Sequence, residues 1–203
     1  MKLSVKTAIA MSRGAFTLPE LMVASSIGVG LAGTAVLLLV QSAGEQRNGF
    51  ADMSVEEQAY MLEANITSCI RCMSANQGLT PDYSTGLLDG NGNLLGYQSV
   101  SLFYPTNGGY VTANINFESA LGEVAYTPNV STPATQTLWM SNSPNANLTA
   151  LYFTTSFNPD GSQNNSLVNV TFQMSDNGFS QQGTVNNPAS ILRTFSVQMR
   201  NDN

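Results

Sequence analysis

The chain has no histidine, no lysine after Lys6, and only two cysteines, Cys69 and Cys72, in 203 residues. Each scarcity closes off a class of function. Without histidine, the commonest general base and the commonest metal ligand are missing. Beyond Lys6 there is neither a histidine nor a lysine to activate a serine or cysteine, so nucleophilic catalysis lacks its usual partner. No pair of carboxylates is marked out for acid–base work, and the chain reads as a non-enzyme without a cofactor. Two cysteines do not make a disulfide scaffold. Charge is also scarce, at 10% of residues, and it is unevenly placed. Lys2, Lys6 and Arg13 are three of the seven cations; only Arg47, Arg71, Arg193 and Arg200 follow, and all 13 acids lie at or after Glu20. Removing residues 1–15 leaves four cations against 13 acids, a net charge of −9. A chain with no basic stripe has little to offer phosphates, so no direct nucleic-acid contact is expected.

Apolar residues are plentiful, at 42%, enough for a packed core. From Leu21 to Val40 the sequence LMVASSIGVGLAGTAVLLLV carries no charge over 20 residues. At about 1.5 Å per residue such a helix spans about 30 Å, the thickness of a bilayer core. The basic leader ahead of it belongs on the cytoplasmic side, and the Asn-, Ser-, Thr- and Gln-rich remainder on the far side. An ordinary secretory signal has a shorter apolar region ending in a small-residue cleavage site; Ser42-Ala43-Gly44 is a mediocre candidate for one. A plain signal anchor is the other simple reading.

The junction between leader and apolar run reads Ser12-Arg13-Gly14-Ala15-Phe16-Thr17-Leu18-Pro19-Glu20-Leu21-Met22-Val23. It resembles the class III leader of type IV prepilins. That family's pattern has Gly before the cut, Phe after it and Glu at the fifth mature position. Here Phe16 as first residue makes Glu20 the fifth. Ala15 then precedes the cut, with Gly14 one place back; a cut after Gly14 would make Glu20 the sixth. The resemblance implies cleavage at Gly14-Ala15-Phe16 by a prepilin peptidase, N-methylation of Phe16, and an assembly role for Glu20. A carboxylate at the edge of an apolar helix calls for a partner. In a filament, the freed amino group of a neighbouring Phe16 supplies one and fixes the axial register. A local reading stands beside it: Thr17-x-x-Glu20 matches a helix capping box, and Pro19 fits a first turn. Gly28, Gly30 and Gly33, with Ala24 and Ala32, give the helix small faces suited to close packing or simply tolerated in a membrane helix.

Past Gly44, apolar residues recur at helical spacing as Val55, Ala59, Leu62, Ile66, Cys69 and Met73, one stripe of an amphipathic helix. Gly78 and Pro81 end it, and Gly44 and Gly49 mark places to bend. Cys69 and Cys72 lie three residues apart on this helix. They fit core or reduced thiols, a strained mutual disulfide, or a bond to another subunit. A zinc site would need two further ligands.

From about residue 86 the pattern changes to short β-rich runs: Leu94–Tyr104, Gly109–Phe117, Gly122–Tyr126, Gln136–Met140, Leu148–Phe157, Leu167–Ser175 and Ile191–Arg200. Turn signals separate them at Asp89-Gly90-Asn91-Gly92-Asn93, Asn158-Pro159-Asp160-Gly161 and Asp176-Asn177-Gly178. The loop places Asp89, Asn91 and Asn93 at alternating positions as a calcium loop does, but Leu94 and Val100 stand where Gly and Glu belong, so it reads as a turn. The final turn, alternating strand and Arg-Thr-Phe-Ser-Val-Gln-Met-Arg-Asn segment resemble the carboxy-terminal half of larger minor pilins and J-type pseudopilins.

The expected fold is α+β and pilin-like, a long helix packed on an antiparallel sheet. The expected parts are a leader (1–15), a membrane or filament-core helix (16–40), an amphipathic extension (41–77) and a β-rich head (78–203). The resemblance implies a minor pilin or pseudopilin of a type IV pilus, type II secretion or DNA-uptake machine. It would sit in the inner membrane with its head outside, and then in a pilus or pseudopilus. Its partners would be the peptidase, other pilin subunits, an inner-membrane assembly platform and the membrane. The rival is a membrane-anchored extracytoplasmic binding protein.

Overall fold

The computed structural model describes residues 17–132, 134–140, 146–176 and 190–200, with backbone alone at 47, 48 and 51. The chain divides into two units, Met1–Glu45 and Gln46–Asn203. A single helix, α1 (Leu18–Arg71), supplies most of the described part of the first unit and opens the second. It stays helical through Gly44 and Gly49.

The helix stops at Arg71, short of the expected 77, because the head competes for the next backbone groups. Cys72 and Met73 donate to the carbonyls three residues back, of Cys69 and Ile70, at 3.3 and 3.0 Å. Such tightening is usual in a last helical turn. Ser74 N then donates to Phe103 O at 2.7 Å, Ala75 N to Arg200 O at 2.8 Å, and Arg200 N to Met73 O at 2.9 Å. The segment 73–75 therefore stitches the chain end to the sheet instead of continuing the helix.

Strands follow as β1 (Thr80–Pro81), β2 (Gly86–Leu88), β3 (Leu94–Tyr97), β4 (Ser99–Thr106), β5 (Gly109–Glu118), β6 (Glu123–Thr127), β7 (Gln136–Met140), β8 (Ala146–Phe157), β9 (Gln163–Asp176) and β10 (Ser190–Gln198). Antiparallel pairing was expected and is found, but in two five-stranded sheets: β1-β4-β5-β6-β7 and β10-β9-β8-β3-β2. The expected strand Leu94–Tyr104 is split between them. Gln98 is the break: its N–H donates to Thr85 O at 3.0 Å and its carbonyl accepts from Phe117 N at 2.9 Å. Gly96, two residues earlier, permits a close approach, since a Cβ there would lie 2.7 Å from Phe153 O.

The turns owe their shape to side-chain acceptors. Asp89 accepts from Asn93 Nδ2 at 3.0 Å, and from the backbone N–H groups of Asn93 and Asn91 at 2.7 and 2.8 Å. Its carboxyl is held below the usual carboxylate range by these bonds, Asn93 contributing most. The loop is thus a hairpin turn between β2 and β3. Asp160 plays the same part between β8 and β9, accepting from Ser162 Oγ at 2.6 Å and Ser162 N at 2.9 Å. Asn177 and Gly178 of the third expected turn lie outside the described residues.

One hydrophobic core joins the second part of α1 to both sheets. Val55, Ala59, Leu62, Ile66 and Ile70 come from the helix, Val100, Leu102, Ile115 and Val124 from the first sheet, and Phe153, Val170, Phe172 and Met174 from the second. Each large side chain buried this way contributes roughly 1.5–3 kcal/mol of transfer free energy. The observed stripe differs from the expected one at a single point. Ile70 is fully buried, whereas Cys69 is half-buried at the edge of the core. Met73 is buried too, but from beyond the helix end.

Candidate functional site

In the first unit the candidate feature is the surface of the helix itself. Leu18–Gln46 is 29 residues long and contains an 18-residue stretch with a mean hydropathy of 2.1, long and apolar enough to cross a membrane, and none of it is buried. Three hydroxyls within it are satisfied locally. The hydroxyls of Ser25, Ser26 and Thr34 donate to the carbonyls of Met22, Val23 and Leu31 at 2.9, 2.8 and 2.9 Å. In hydrocarbon such back-bonding removes the cost of an unpaired hydroxyl. Nothing lies within 4 Å of where a Cβ would sit on Gly28, Gly30 or Gly33, so these small faces are open.

The Glu20 half of the expected capping box forms, while the Thr17 hydroxyl donates to the same carboxylate instead of accepting from the Glu20 backbone N–H. Thr17 N donates to Glu20 Oε2 at 2.9 Å and Thr17 Oγ1 donates to the same oxygen at 2.8 Å. Thr17 O accepts the first helical bond, from Leu21 N, at 3.1 Å. Both of these bonds to the carboxylate come from Thr17 of the same chain, at a fully exposed helix start. Gly14, Ala15 and Phe16, with the rest of the leader, lie outside the described residues.

The second unit carries two clusters on and beside α1. Cys69 and Cys72 are free thiols, the first half-buried and the second exposed. Burial first, and then the charge of the neighbouring Cys72, push the Cys69 thiol up to about 11. Tyr126 of β6 shares the neighbourhood: burial first, and then the two cysteines, push its hydroxyl up to about 12.

The other cluster is a clasp invisible in the sequence. Arg193 on β10 donates from Nη1 to Glu63 Oε2 at 3.1 Å, and its Nη2 lies 3.6 Å from Glu56 Oε2. Its guanidinium sits 4.0 Å from the centre of the Tyr60 ring. Glu56, Tyr60 and Glu63 follow helical spacing and present one face to it. Across the helix, β7 is held by Asn65 Nδ2 donating to Leu138 O at 3.0 Å and by Trp139 Nε1 donating to Gln58 Oε1 at 3.2 Å. β7 and β10 are the edge strands of their sheets, so the helix is tied to an edge of each. Its outward face leaves Phe50, Met53, Tyr60 and Met61 exposed.

Among the described residues no group of three or more metal-ligating side chains converges. Compared with known proteins, the chain matches no protein-family model, no curated protein and no solved structure. The functional reading therefore rests on the leader motif and on the geometry above.

Proposed function

We propose that this chain is a structural subunit, a minor pilin or pseudopilin, of a type IV pilus, type II secretion or related filament. Prepilin peptidase cuts after Ala15 and methylates Phe16. The chain waits in the inner membrane with its head outside, until the assembly platform extracts it. The observation that carries this reading is the combination in α1. An uncharged, wholly unburied apolar surface begins at a single carboxylate, and the same helix goes on to supply the spine of a folded head. A plain anchor would need that acid only for its local bonds to Thr17.

In this account Glu20 exchanges partners. In the lone subunit its carboxylate caps Thr17; in the filament it meets the Phe16 amino group of a neighbour, which is a stronger, charge-assisted partner. Substitution separates the two roles. Glu20→Ala inserts into the membrane normally and fails to enter filaments. Thr17→Ala loses the hydroxyl bond but keeps the acid, and it assembles. Cross-linking and filament shearing followed by immunoblotting read the outcome. Glu20→Ala filaments at the unmutated level sink the proposal in favour of the anchored binding protein, and equal defects in both variants reduce Glu20 to a cap.

A further inference from the structure

We propose that Cys69 and Cys72 are a dithiol–disulfide pair, closed by exchange with an external disulfide, with Cys72 as the attacking thiol and Cys69 as the resolving one. The positions come first. Side chains three apart on a regular helix have Cβ atoms about 5–6 Å apart, whereas a disulfide needs about 3.5–4.5 Å. A mid-helix pair would therefore be strained. This pair straddles the helix end: Cys69 is in the last turn, and Cys72 lies just past Arg71 in a turn already tightened by its 3.3 Å bond to Cys69 O. Cys72 is exposed and off the helix, so it is the partner able to move closer.

Access decides the order of attack. Cys72 faces solvent, while Cys69 is half-buried beside Tyr126 and holds its proton more tightly than an ordinary thiol. Thiolates, not thiols, attack disulfides. Cys72 gives its proton to solvent and attacks one sulfur of a disulfide RSSR, forming a mixed disulfide and expelling RS⁻. Cys69 then loses its proton, attacks the Cys72 sulfur and expels the second RS⁻. The net change is two protein thiols plus RSSR to one protein disulfide plus two RSH; the protein is oxidised and RSSR is reduced. The closed ring locks the last turn of α1 to the segment 73–75, which is itself bonded to Phe103 and Arg200.

Arg71 lies inside that ring, which gives a direct assay. The purified full chain in detergent micelles is equilibrated with oxidised and reduced glutathione, quenched in acid, and weighed intact. The expected oxidised species is monomeric and about 2 Da lighter than the reduced chain. After denaturation, trypsin cuts behind Arg47, Arg71 and Arg193, and fragments 48–71 and 72–193 stay joined until a reductant is added. Covalent dimers, or chains carrying glutathione at both cysteines, as the main oxidised product overturn the proposal. Under the same conditions Cys69→Ser traps glutathione on Cys72 at least about tenfold faster than Cys72→Ser traps it on Cys69. Equal rates overturn the assigned order. None of these readouts involves cleavage of the leader or incorporation into a filament, so the proposal and the filament reading fail separately.

Discussion

Arg193→Ala tests whether the head is built around α1 as described. The lost contacts are the 3.1 Å bond to Glu63, the 3.6 Å pair with Glu56 and the 4.0 Å stacking on Tyr60. The side chain of Arg193 is 19% exposed, that of Glu63 33% and that of Glu56 52%, so the two ion pairs differ in solvent screening. The Glu56 pair resembles a surface bridge and contributes about 0–1 kcal/mol. The shorter Glu63 bond contributes about 1 kcal/mol, and the cation over Tyr60 about 0.5–1 kcal/mol. Arg193→Ala should therefore cost about 2 kcal/mol. Arg193→Lys, which keeps the charge but not the planar fork, should cost about 1 kcal/mol. Urea unfolding of the full chain in detergent micelles measures this, with Trp139 as reporter. It is the sole tryptophan, and its indole nitrogen is bonded to Gln58 on the helix. Combining Arg193→Ala with Glu63→Ala should show a coupling of about 1 kcal/mol. A cost under about 0.5 kcal/mol, or additive double-mutant effects, would refute the clasp.

Two further outcomes follow from the helix end. In reductant, Ile70→Ala should cost about 3 kcal/mol by leaving a cavity in the core, and Cys69→Ala less than about 1 kcal/mol; the reverse order in the same urea assay would rotate the helix against the sheets. The fold should also weaken in alkali. Cys69 moves from an ordinary 9.0 to about 11 and Tyr126 from 10.0 to about 12. The native state thus holds both protons more tightly than the unfolded chain. Their stabilisation is complete below pH 9 and is lost as pH rises through 11 and 12. Cys69→Ala should flatten the decline between pH 9 and 11, and an unchanged slope would remove the cysteine from the cause.

Much of the fold was legible because it is written in local spacing. A charge-free run of 20 residues and an apolar stripe at steps of three and four identify α1, and alternation with Asx-rich turns identifies most of the strands. Gln136–Met140 falls within the bounds expected of it. What stayed hidden depends on partners distant in sequence. The helix end at Arg71 is set by Phe103 and Arg200, neither of which is a local stop signal. The passage of 94–106 from one sheet to the other turns on Gln98, an unremarkable residue whose backbone is claimed by Thr85 and Phe117. The two-residue β1 and three-residue β2 are too short for any period to show. Cys69 and Ile70 both lie near the stripe, and only packing against the sheets puts Ile70 inside. The Arg193 clasp joins residues 130 apart. At the candidate assembly site, Thr17 and Glu20 were readable because a capping box is a local pattern. The hydroxyl back-bonds of Ser25, Ser26 and Thr34 were also within reach of sequence, since a serine or threonine in an apolar helix has few other acceptors.

The most direct test of the filament-subunit account is the amino terminus of the protein in cells with and without a prepilin peptidase. Intact mass and terminal sequencing should show residues 1–15 absent, and the chain starting at N-methylated Phe16, only when the peptidase is present. Retention of Met1, or a cut near Gly44, in peptidase-positive cells would contradict the account.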